Sequence, residues 1–167
     1  MVLQFKVIQV GMVLFSGLMV VVTGSANSPT DEAAQWEIVQ RSHYPFTLQF
    51  NGYFYDVFFT DPKTGWAVGD GGFVVQTENG GETWNQQQTG VSEDLLTVYF
   101  VNATVGWVAG RKWALLHTSD GGRTWERRLA PMEYIQDLYF ANPFQGWIVG
   151  FTQEGDGFKH RIFHTTD

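Results

Sequence analysis

Thr77-Glu78-Asn79-Gly80-Gly81-Glu82-Thr83-Trp84 is answered by Thr118-Ser119-Asp120-Gly121-Gly122-Arg123-Thr124-Trp125, and His164-Thr165-Thr166-Asp167 begins the phrase a third time. Self-similarity at this period names an architecture before any single residue names a chemistry. The chain is a repeat protein.

A second phrase keeps step with the first. Gly65-Trp66-Ala67-Val68-Gly69, Gly106-Trp107-Val108-Ala109-Gly110 and Gly146-Trp147-Ile148-Val149-Gly150 follow at spacings of 107 − 66 = 41 and 147 − 107 = 40 residues. A short apolar run precedes each: Val57-Phe58-Phe59, Val98-Tyr99-Phe100 and Leu138-Tyr139-Phe140. One unit therefore holds four short β-rich segments divided by Gly, Asn, Asp and Pro, the pattern of a four-stranded meander. Four strands per period of about 40 residues predict an all-β chain built from β-propeller blades.

The tryptophans keep the same count. Trp66, Trp107 and Trp147 open second strands, Trp84 and Trp125 open fourth strands, and only Trp113 has no repeat partner. Trp36-Glu37-Ile38-Val39-Gln40 resembles Trp84-Asn85-Gln86-Gln87 and reads as a stray fourth strand, residues 36–41, of a blade whose other strands come from elsewhere. The alternative is a solvent-facing strand that leads into the first blade.

Composition fits this reading and narrows the function. Aromatics make up 16% of the chain and glycines number 19, while charged residues, at 16%, fall below the roughly 25% of an average domain. The net charge of −7, with no basic arm or stacking platform, argues against nucleic acid as a partner. Lys6, the apolar stretch Val7 to Val22 and the small residues Gly24-Ser25-Ala26 read as an export signal over residues 1–26, followed by a polar linker over 27–35. A retained N-terminal anchor is the alternative, and it is the only route to a membrane. The chain has no cysteine, so neither a lipidated cysteine nor a disulfide is available. The expected location is exported, in a periplasm or the extracellular space.

Residues 36–167 hold about three units, near 53–89, 94–130 and a truncated 134–167, whereas propellers close with about four to eight blades. The expectation is an incomplete propeller, a piece of a larger one, with assembly of several copies as the alternative.

The Gly-Gly phrase has a local logic. Asp120 accepts from backbone N–H groups of its own turn, the glycines take positive φ, and Trp125 returns to the sheet. Asn79 caps the first copy without charge. The residues assigned to this turn are Thr77, Asn79, Gly81, Thr83 and Trp84, then Ser119, Asp120, Gly122, Thr124 and Trp125, with Asp167 in the third copy. Each acid sits at the same turn of a different blade, so the phrase reads as structural, with no catalytic, metal or cofactor role.

Ser/Thr-x-Asp-x-Gly-x-Thr-Trp resembles the Asp-box, or bacterial neuraminidase repeat. Joined to Asp56-Val57-Phe58-Phe59 and Gly65-Trp66-Ala67-Val68-Gly69 in one unit, it is most similar to the photosystem II stability and assembly factor family and its bacterial relatives. The resemblance covers about Trp36 to Asp167. It implies a seven-bladed, non-catalytic propeller in the thylakoid lumen or periplasm that chaperones a membrane-protein subunit during assembly. Asn79 in the first box, the cut third box and an insertion around Gln153 to Lys159 depart from the pattern.

Sialidases share the Asp-box, so a fragment of a glycoside hydrolase or carbohydrate-binding propeller is the competing expectation. Their chemistry needs an arginine cluster with a Tyr/Glu pair and an acid, whereas Arg41, Arg111 and Arg161 occupy no equivalent position here. Half of the basic residues, Arg111, Lys112, Arg123, Arg127 and Arg128, fall in the second unit and form a candidate docking patch for an acidic protein segment. The bland reading of that group is a solvated outer strand. His160 and His164 share a strand face without a third metal ligand, and Glu154-Gly155-Asp156-Gly157 reads as a solvated hairpin tip. Asn102-Ala103-Thr104 fits a glycan acceptor in a eukaryotic secretory pathway. Trp113, Tyr53 and Tyr134 are candidates for stacking on sugars, with ordinary packing as the expected role.

Overall fold

The computed structural model describes Phe50 and residues 52–165. The expected leader, linker and stray strand, and Asp167 of the third box, lie outside the described residues. Eleven antiparallel strands form three sheets among those residues. The first sheet runs in the order β1 (Phe54–Phe59), β2 (Gly65–Gly69), β3 (Val74–Thr77), β4 (Asn85–Gln87). The second repeats it with β5 (Leu95–Phe100), β6 (Gly106–Gly110), β7 (Leu115–Thr118), β8 (Glu126–Arg127), and the third holds β9 (Tyr134–Asn142), β10 (Gln145–Glu154), β11 (Gly157–Thr165). These are three blades of a β-propeller.

Each first hairpin is closed by a side chain that replaces a backbone partner. Asp61 Oδ1 accepts from the N–H groups of Lys63 and Thr64 at 2.8 and 3.0 Å. Asn102 Oδ1 accepts from Thr104 and Val105 at 2.9 Å each, and Asn142 Oδ1 from Phe144 and Gln145 at 3.0 Å each.

Two of the three cores lie between blades, because successive side chains on a strand face opposite ways; the third is built from first-blade residues around Ala67, Val75 and Trp84. Val98 and Phe100 pack with Trp66, Val68 and Val74 of the first blade. Tyr99, between them, packs with Ile135, Leu138 and Phe140 of the third. Trp66 stacks on Phe100 with centroids 3.6 Å apart, and its Nε1 donates to Gly121 O at 3.1 Å. Trp107 stacks on Phe140 at 4.8 Å. The Trp107 Nε1 is buried without a hydrogen-bond partner among the described residues.

Close approach explains both glycines of the Gly-Trp phrase. A Cβ at Gly106 or Gly146 would collide with the ring of Phe100 or Phe140, and one at Gly110 or Gly150 with the carbonyl oxygen of Asp94 or Tyr134.

Each inner strand bulges at Tyr55, Leu96 and Gln136, where the register slips by one residue. The residue after each bulge is Asp56, Thr97 or Asp137. Asp56 Oδ1 accepts from Val57 N at 2.9 Å, and its Oδ2 crosses the interface to accept from Val98 N at 2.9 Å. Thr97 Oγ1 donates to Asp137 Oδ1 at 3.3 Å. Burial pushes the Asp56 carboxyl up to about 6.

The third blade departs in one hairpin. Pairing between β10 and β11 runs from Gly146↔Thr165 out to Glu154↔Gly157, whereas β6 and β7 stop at Ala109↔Leu115. The insertion around Gln153 to Lys159 thus lengthens two strands rather than adding a loop.

Candidate protein-binding surface

Successive turns of an antiparallel meander lie at opposite ends of a blade, so each blade has an Asp-box end and an opposite end. At the first, Gly80 N donates to Lys63 O and Gly121 N to Thr104 O, both at 2.8 Å. Thr118 Oγ1, 1% exposed, accepts from Gly122 N at 2.9 Å and donates to Asp120 Oδ1 at 2.8 Å. Thr124 donates to Asp120 through its N–H at 2.9 Å and its hydroxyl at 2.6 Å, and that hydroxyl chiefly holds the carboxyl down at about 2. Thr77 and Asn79 repeat the arrangement, except that the Asn79 amide donates to Thr83 Oγ1. Gly81 and Gly122 take φ of 91° and 90°, and Trp84 and Trp125 pack edge-on to Phe59 and Phe100.

Ser119 needs correction. It is exposed, and Thr118 is the counterpart of Thr77. The phrase admits either hydroxyl by composition, but only the residue ending β7 turns its side chain back under the loop. Every capping group is bonded to its own turn, so these residues hold the turn rather than a ligand.

The opposite end carries a run of contacts across all three blades. Tyr55 donates through its hydroxyl to Asp70 Oδ1 at 2.6 Å, and Tyr53 N donates to Asp70 Oδ2 at 2.8 Å. The Asp70 bond, above all, raises the Tyr55 hydroxyl to about 12. Gly71 N donates to Asp94 Oδ1 at 3.1 Å, and Asp94 pairs with Arg111 Nε at 3.8 Å. The Arg111 guanidinium stands 5.5 Å from the Tyr134 ring centre. Tyr134 stacks on Phe151 at 4.3 Å, and Phe151 meets Phe158 at 5.0 Å and His160 at 5.5 Å.

The five cations of the second unit do not form one patch. Arg111 and Lys112 stand at this end, and Arg123 lies in the Asp-box turn beyond the other end of β7. Arg127 pairs with Glu93 at 3.1 Å and Arg128 with Glu126 at 2.8 Å, so most of the charge is already met within the chain. Sequence clustering misled because a meander sends neighbouring turns apart.

Trp113 also departs from the packing role expected of it, being 45% exposed. In the first blade the turn after β2 has Gly71 and Gly72 at φ 64° and 76°. The second blade keeps that backbone but places Lys112 and Trp113 there, at φ 53° and 64°. A left-handed conformation costs a side chain about 1–2 kcal/mol per residue. The turn is braced: Arg127 Nη2 donates to the Lys112 and Trp113 carbonyls at 3.4 and 3.5 Å, and Trp113 N donates to Glu133 O at 3.0 Å. The sequence signal was available, since Trp113 alone breaks the tryptophan repeat. Among the described residues there is no group of three His, Cys, Asp or Glu that could hold a metal, and no helix long and apolar enough to cross a membrane.

Repeated blades, interfacial cores and self-capped turns define an Asp-box propeller with one structurally divergent end. The sequence model described as "Photosynthesis system II assembly factor YCF48" matches residues 29–133, more than half of the chain, and the chain belongs to that family. A solved structure entitled "YCF48 bound to D1 peptide" is 26% identical, with a TM-score of 0.59 over 72% of this chain and 39% of that one. "YCF48 from Cyanidioschyzon merolae", 17% identical with a TM-score of 0.56, shares the fold over 71% of this chain and 39% of that one. The chain thus spans about two fifths of the length of either. No curated protein matches it.

Proposed function

We propose that this chain is a non-catalytic propeller that binds a segment of a membrane-protein subunit during assembly of photosystem II, and that it acts after export. The observation that carries the reading is its membership of the assembly-factor family, together with its likeness to a propeller bound to a D1 peptide. The divergence of the three units at one end supports it, since repeat scaffolds carry their specificity where the repeats differ. The absence of catalysis rests on the capping groups, whose oxygens are engaged in their own turns. Export rests on the expected leader over residues 1–26.

Calorimetric titration of the purified chain with synthetic peptides tiling D1 is the test. Saturable one-to-one binding by one segment is expected, and no binding by any tile refutes the D1 assignment. Fractionation of the native host tests location, with recovery in the cytoplasm counting against export.

A further inference from the structure

We infer that Lys112 and Trp113 form a contact pair for an extended peptide segment, which offers an apolar side chain to the indole and a carboxylate to the ammonium group; this rests on the peptide-binding reading above. Three observations converge. First, the turn keeps a left-handed backbone that the first blade builds from two glycines. A side chain held in that region is retained where surrounding structure enforces it, and such positions cluster at ligand contacts. The enforcement is visible in the bonds from Arg127 and Glu133 to this turn.

Second, the side chains so placed are not used to fill a core. In the first blade a Cβ at Gly72 would collide with Val91 O, so glycine there serves packing. In the second blade Trp113 stands 45% exposed, with its N–H bonded to the carbonyl of Glu133, the residue before Tyr134. Tyr134 stacks on Phe151, which meets Phe158, 63% exposed. Third, Lys112 makes no ion pair among the described residues, whereas Arg111, Arg127, Arg128, Lys159 and Arg161 at this end or on the long hairpin each meet a carboxylate of the chain. In a chain of net charge −7, one unmatched cation beside an exposed indole suits a partner that brings its own acid.

The experiment compares the full chain with Lys112→Gly/Trp113→Gly and with Trp113→Phe, using the D1 tiles, tiles of other photosystem II membrane subunits, and a glycan panel. The double variant restores the first blade's turn. Its Tm is expected to hold or rise, while peptide affinity falls at least tenfold and Trp113→Phe retains most of it. A drop in Tm of more than about 5 °C would give the pair a structural role and overturn the inference. So would peptide affinity within twofold of the parent, or loss of glycan binding alone. If only tiles from other subunits bind, and the double variant loses them, the contact pair stands and the D1 assignment fails. If D1 binds both forms equally, the assignment stands and the contact pair fails. If no tile binds, both fail.

Discussion

The indole of Trp66 lies on the ring of Phe100, 3.6 Å between centroids and 12° between planes, although the two residues belong to different blades. The same relation joins Trp107 to Phe140, with 3° between planes. Both stacks thus hold blade to blade.

Removing one member should be felt as a core mutation. Phe100→Ala is expected to cost about 3–5 kcal/mol in denaturant unfolding, because the ring is 2% exposed and fills the space above Gly106. Phe144→Ala, at a residue 66% exposed, should change stability by no more than about 0.5 kcal/mol. Equal effects would refute the interfacial account.

The second glycine of the Gly-Trp phrase should be equally intolerant. Gly110→Ala places a methyl group against Asp94 O and is expected to destabilise by about 1–3 kcal/mol. Gly90→Ala meets no atom within contact range, and only its φ of 72° opposes it. A larger loss at Gly90 than at Gly110 in thermal melts would contradict the close-approach argument.

In the Asp-box, Thr118→Val should cost about 1–3 kcal/mol because it strands the Gly122 N–H, while Ser119→Ala should be nearly silent. Chemical denaturation of the two variants distinguishes them, and the reverse order would restore Ser119 to the turn.

Two acids set opposite pH dependences. Asp56 has its folded value raised to about 6 from an ordinary 3.8, so its protonated form favours the fold. Stability from this group should rise as pH falls through about 6, with the gain complete below 3.8. Asp120 is held down at about 2, so its contribution is present above 3.8 and is lost as pH falls through 2. In melting curves between pH 7 and 5 the parent should gain stability relative to Asp56→Asn, a difference that cancels the opposite pull of His117, whose pKa burial lowers. A rise that survives in that variant would assign it to another group.

The repeat phrases made the blades legible because steric demands fall on side chains or on their absence: glycine beneath a phenylalanine, tryptophan across an interface, an Asx residue in a turn. The Asp56 joint was not legible, since its partner is the backbone N–H of Val98, and a backbone donor leaves no trace in residue type. The basic cluster misled for a related reason. Proximity along the chain implies nothing about proximity across a meander, and carboxylates such as Glu93 and Asp94 enter from the preceding connection. Trp113 announced itself by breaking the repeat, but residue type alone did not say that the indole would stand 45% exposed.

The bulges at Tyr55 and Leu96 aim a polar group at the neighbouring sheet, just as the indoles of Trp66 and Trp107 lean on the neighbour's phenylalanine. Recombination between homologues that cuts at sheet boundaries would part Asp56 from Val98 and Trp66 from Phe100 together. Crossovers placed within the sheets, between an inner strand and the strand after it, would keep Trp66 with Phe100, and Asp56 asks only for a backbone N–H at position 98. The inheritable module of this architecture is the seam, offset by one strand from the blade that the eye picks out.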